Sequence, residues 1–97
     1  MKTPKIKSIT IIGRRWFDKV NGNTYFSSVG LLNGKPVVSI PFEYGYSSQY
    51  EHETWKAICK EMNIDSKDSY GYSFCQDNNI AYYCTVSDVS RRKDLKF

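Results

Sequence analysis

Ninety-seven residues, 40% hydrophobic and 15% aromatic with a formal net charge of +4, make one domain with no room for a second core. Folding at this length hides roughly two thirds of the unfolded chain's surface, so a core is feasible without metal or disulfide staples. The apolar runs are too short to span a membrane, and the N-terminus has lysines but lacks the apolar stretch of a signal peptide.

Residues 6–17 read as a first strand rich in Ile, Thr and aromatics, with Gly13 as a bulge that shifts the alternation. Residues 18–23 form a loop in which Gly22 takes a positive φ. A second strand (24–32) and a third (35–44) flank Asn33-Gly34, a strong hairpin signal because both residues tolerate positive φ. A two-residue loop sets Leu31 against Pro36, Val29 against Val38, Ser27 against Ile40 and Tyr25 against Phe42, and that side is the expected core face. The other side holds Phe26, Ser28, Gly30, Ser39 and Pro41. Pro41 lacks an amide hydrogen, so either its strand is an edge there or its amide position points away from a partner.

Ser48-Gln49-Tyr50-Glu51 matches a capping box, with Ser48 at the N-cap and Glu51 reaching back. Trp55, Ile58, Cys59 and Met62 then fall on one helical stripe, and Asn63 suits a left-handed stop, so the helix runs over 49–62. Segments 70–76 and 80–86 read as a second hairpin through a loop at 77–79 with Asn79 left-handed. That register turns Cys75 away from Cys84. Cys59, Cys75 and Cys84 show no CxxC, and an odd count points to reduced thiols in an intracellular protein. The expected fold class is α+β: an antiparallel sheet in βββαββ order with one helix packed on one face. The chain reads as a single domain, 1–97, with polar termini at about 1–5 and 90–97.

Charge is unevenly placed. Lys2, Lys5 and Lys7 crowd the start, and Arg91, Arg92, Lys93 and Lys96 crowd the end, so adjoining termini would make one basic patch. Arg14 and Arg15 are neighbours and therefore sit on opposite sheet faces, one directed to solvent and one at the rim or stacked on a ring. His52 stands alone between Glu51 and Glu53 without a triad, elbow or metal motif, so neither an enzyme nor a cofactor is expected. Gly45 and Gly71, each between two tyrosines, would let a base stack on the rings, although neither segment matches the consensus of RNA-recognition domains. The candidate binding residues are Arg14, Arg15, Phe26, Tyr44, Tyr46, Arg91, Arg92 and Lys93.

The strings GRRWF (13–17), GNTY (22–25), NG (33–34), PFEYGYSSQY (41–50) and DVSRRKDL (88–95) resemble those of small bacteriophage accessory proteins, over roughly half the chain. The resemblance implies a phage origin and, by analogy, action in the host cytoplasm on host or phage nucleic-acid machinery, including inhibition of defence systems such as CRISPR complexes. Two classes of function follow. The first is a non-enzymatic protein that binds, and inhibits, a host protein or nucleoprotein complex through exposed aromatics and the basic patch. The second is a direct nucleic-acid binder, with arginines and Lys93 on phosphates and tyrosines stacking bases.

Overall fold

The computed structural model of the chain describes residues 6–64 and 71–97. Strands β1 (Ser8–Asp18), β2 (Asn23–Leu32) and β3 (Lys35–Tyr44) come first, then helices α1 (Gln49–Met62) and α2 (Gly71–Asp77), then β4 (Ala81–Val89) and a 3-10 turn at Arg92–Leu95. The strands form one mixed sheet in the order β3-β2-β1-β4, an α+β architecture. β1 pairs antiparallel with β2 and parallel with β4. Because β4 runs parallel to β3 as well, the chain needs a crossover between them, and both helices lie on it.

The first hairpin turns as its residues dictate. Asn33 and Gly34 take φ of 52° and 81°, the positive values that match the strand twist. The Asn33 side-chain oxygen also accepts from the amides of Lys7 (2.7 Å) and Ser8 (3.1 Å), tying the turn to the start of β1. Asn63 ends α1 in the left-handed region, φ 58°, and the Ile64 amide donates to the Cys59 carbonyl at 2.9 Å. Ser48 occupies the N-cap, but its hydroxyl makes no capping bond because ψ is 15° rather than extended. Its carbonyl instead accepts from the Glu51 and His52 amides.

The helical stripe is core: Trp55, Ile58 and Cys59 are buried against Ile9, Ile11, Phe26 and Leu32. Small residues beneath α1 let it approach closely. A Cβ at Gly13 would lie 2.4 Å from the Tyr50 ring, and one at Gly30 would lie 2.8 Å from Val38 and 2.9 Å from Ile58. Between them the Thr54 hydroxyl donates to the Tyr50 carbonyl (2.5 Å) and is left to accept from Ser28 Oγ (2.6 Å). Both buried hydroxyls are thereby satisfied.

The helix-facing side of β2 is Phe26, Ser28, Gly30 and Leu32, and Phe26, expected to be on the surface, is 0% exposed. The register expected across Asn33-Gly34 holds only beside the turn, at Leu31↔Pro36; shifts at Gly30/Leu31 and Phe26/Ser28 then set Gly30 against Val38 and Tyr25 against Tyr44. Gly13 is no bulge, since β1 keeps regular register with β2 throughout. The second hairpin is absent: 71–77 is helical, with Gly71 and Cys75 buried at one-turn spacing, and residue 70 lies outside the described residues. Asn79 does take φ 56°, but it ends α2, with the Ile80 amide donating to the Cys75 carbonyl at 2.8 Å. β4 then pairs with β1 rather than with the segment before it. The expected edge position of Pro41 is observed, because β3 is an outer strand.

Candidate functional site

Side chains alternate along each strand, so the residues not facing α1 share the opposite, open face. Trp16 of β1 is directly across from Tyr25 of β2. Their rings stack at 5.8 Å, and Tyr25 stacks in turn on Phe42 of β3 at 4.8 Å with planes 15° apart. The latter spacing is that of neighbouring strands, so the rings stand on the sheet like a ladder. Tyr44 meets Tyr25 edge-on at 5.7 Å. The Arg92 guanidinium closes the outer end, 4.6 Å above the Phe42 ring.

The C-terminal segment reaches this face by folding back across the sheet. Leu95 is 2% exposed, and its carbonyl accepts from Ser27 Oγ at 2.5 Å. Arg14 Nη1 donates to the Lys96 carbonyl at 2.5 Å and to the Asp94 carbonyl at 3.4 Å, while its guanidinium lies 4.2 Å over the Phe97 ring. The polar segment at 90–97 is therefore packed against the sheet through Leu95 and Phe97. Between it and β3 lies a cleft of about 660 Å³ floored by Val29, Ile40, Pro41, Phe42, Leu95 and Phe97. Arg92, Lys93 and Lys96 also line it, and among the described residues no acidic side chain does.

A second cluster joins α1 to β4. The Tyr82 hydroxyl donates to the Glu51 carboxylate, and Tyr50 Oη lies 3.3 Å from Cys84 Sγ. Burial, reinforced by the bond to Glu51, pushes the Tyr82 phenol well above its ordinary value, and burial does the same to Tyr50. Burial also raises the Cys84 thiol and pushes Cys75 up to about 11. The Tyr82–Glu51 bond and the Tyr50–Cys84 contact latch α1 to β4, and a thiol held protonated is a poor nucleophile. Among the described residues no group of three His, Cys, Asp or Glu side chains is placed to hold a metal. His52 lines a cavity of about 550 Å³ with Tyr46, Glu51, Trp55 and Tyr72.

Of the residues singled out from sequence, the fold brings together Arg14, Arg92, Lys93 and Tyr44 on the open face. Arg91 stands beside them, paired with Asp94 at 3.3 Å. Arg15 is on the other face, bonded to Asp88 at 2.8 Å and to the Ser47 carbonyl at 3.0 Å, and so is not free for a partner. Tyr46 is exposed beside the start of α1, and Phe26 is core. The basic patch that adjoining termini would make rests partly on Lys2 and Lys5, which lie outside the described residues; of the rest, Lys7 adjoins Ala81 at one end of β1, and the arginines follow Val89 at the other. Trp16, Tyr25, Phe42, Leu95, Lys96 and Phe97 were missed as site residues. Leu95 and Phe97, apolar residues within a basic tail, were the available signal.

No protein-family model, curated protein or solved structure matches the chain.

Proposed function

We propose that the chain is a non-enzymatic binding protein whose open-face cleft takes an acidic segment of a partner protein, anchored by an apolar side chain. The observation that carries this reading is the cleft's concave apolar floor beside three cations; at that cleft, unlike at the exposed Tyr44 and Tyr46, ring faces are already occupied. Trp16, Tyr25 and Phe42 cover one another, Arg92 covers Phe42 and Arg14 covers Phe97. Stacking a nucleic-acid base needs an open ring face, whereas an apolar anchor needs a concave apolar floor, which the cleft supplies. Arg92, Lys93 and Lys96 complement carboxylates beside such an anchor and steer its approach. The resemblance to small bacteriophage accessory proteins supports a host protein or nucleoprotein complex as the partner, met in the host cytoplasm. Inhibition of a defence complex of the CRISPR type is the activity this suggests.

The test is capture from host lysate, with and without nuclease, by the natural chain and by the double variant Arg92→Glu, Lys93→Glu. The expected result is a partner retained after nuclease and lost with the charge-reversed variant. Capture abolished by nuclease, together with oligonucleotide binding that falls steeply as salt rises, would establish direct nucleic-acid binding instead.

A further inference from the structure

β3 and β4 are the two edges of the sheet, and they are built differently. β3 carries Lys35, Pro36 and Pro41, and its pairing with β2 shifts register twice. Prolines, lysines and bulges are the devices by which an edge strand avoids pairing with another chain. β4, with the sequence AYYCTVSDV, has no proline, lysine or arginine and holds unbroken register with β1. Its one charged residue, Asp88, is already neutralised by Arg15 at 2.8 Å. Most of its side chains are exposed, and alternate backbone groups of an edge strand point outward unpaired.

We propose that β4 pairs antiparallel with β4 of a second copy of this chain, about a two-fold axis through Thr85, to make one continuous eight-stranded sheet. What selects a second copy over an unrelated strand is that β4 is complementary to itself about that axis. Tyr83 then faces Ser87 of the second copy, Tyr82 faces Asp88, Cys84 faces Val86, Ala81 faces Val89, and Thr85 faces its own equivalent. Each ring meets a shorter side chain, and no like charges are opposed. Such an interface is isologous and closes at two copies. Directly paired residues of antiparallel strands share a face, so both sets of helices lie on one side of the joined sheet and both clefts open on the other. The clefts lie at β3, the far edge, and remain accessible in the dimer.

The experiment is the solution mass of the full chain over a wide concentration range, read by light scattering or sedimentation. It is expected to rise to twice the chain's 11.3 kDa and stop there. Thr85→Lys sets two ammonium groups across the axis; with an unchanged circular dichroism spectrum it is expected to weaken the dimer about tenfold or more. A second variant keeps the question answerable if that one folds poorly. Thr85→Cys in a Cys84→Ser background is expected to form an intermolecular disulfide under mild oxidation, since paired strands hold their Cα atoms about 4.5 to 5.5 Å apart, whereas Ser39→Cys on β3 is not. A mass that stays at one chain, growth beyond two, a dimer indifferent to Thr85→Lys, or cross-linking through Ser39→Cys in its place overturns the proposal.

Discussion

The two faces of the sheet are built from alternate residues of the same strands, yet they have opposite content. Under α1 the strands carry Gly13, Ser28 and Gly30 beside Ile9, Ile11 and Phe26, and the helix brings its own bulk in Tyr50, Trp55 and Ile58. On the open face they carry Trp16, Tyr25, Phe42 and Tyr44, which support one another across strands and, among the described residues, are crossed by the C-terminal segment. The lesson concerns where large rings go. A sheet face packed by a close helix needs small residues, because the helix fills the space, and a face without a helix uses rings to shield its own backbone. The helix thus seals one side of the sheet, and the proposed binding cleft lies on the other.

That division is sharpest in the response to truncation. Trp55→Ala removes the largest fully buried side chain and is expected to cost about 3 to 5 kcal/mol, measured by chemical denaturation; a change below about 1 kcal/mol would show that α1 does not seal the sheet. Leu95→Ala tests whether the crossing segment belongs to the fold, with an expected loss of about 2 to 3 kcal/mol and weaker partner binding. The latch of Tyr82 on Glu51 gives the packed face a pH signature. Unfolded Tyr82 and Tyr50 ionise near their ordinary value of 10.0, whereas the folded phenols hold their protons beyond it. Above pH 10 the unfolded state therefore binds fewer protons, and stability falls as pH rises from there. Thermal midpoints across pH 8 to 11 are expected to drop above pH 10 for the natural chain and to drop less steeply for Tyr82→Phe. The smallest stability effect belongs to the open face: Phe42 is 40% exposed, and Phe42→Ala is expected to cost under about 1 kcal/mol. The same change is expected to weaken partner binding about tenfold or more, as loss of an anchor contact does.

How much of this was legible in the sequence follows from the range of each signal. Asn33-Gly34 and the stripe Trp55, Ile58, Cys59 declare their structures locally, and the turn and α1 form where expected. The choice of sheet face was not legible. It depends on two bulges and on glycines whose neighbours come from α1, and by hydrophobicity alone Tyr25 and Phe42 read as core. Segment 71–77 is too short for period to separate helix from strand, and nothing near β4 announces a partner on β1. Of the site, the basic character of Arg92 and Lys93 and the exposure of Tyr44 were readable. The cleft was not, because it exists only where the tail lies beside β3.

The late return of β4 to β1 also orders assembly. β1, β2 and β3 form a meander joined by short turns, whereas Arg15 and Asp88 meet across 73 residues and Arg14 and Lys96 across 82. Loop closure over such separations is slow compared with local hairpin formation, so the meander is expected to precede the fourth strand and the crossing tail to follow both. The cleft is then the last part of the molecule to be completed and the first lost when the C-terminal end detaches. If the proposed partner binds there, its binding would report on whether the sheet has closed.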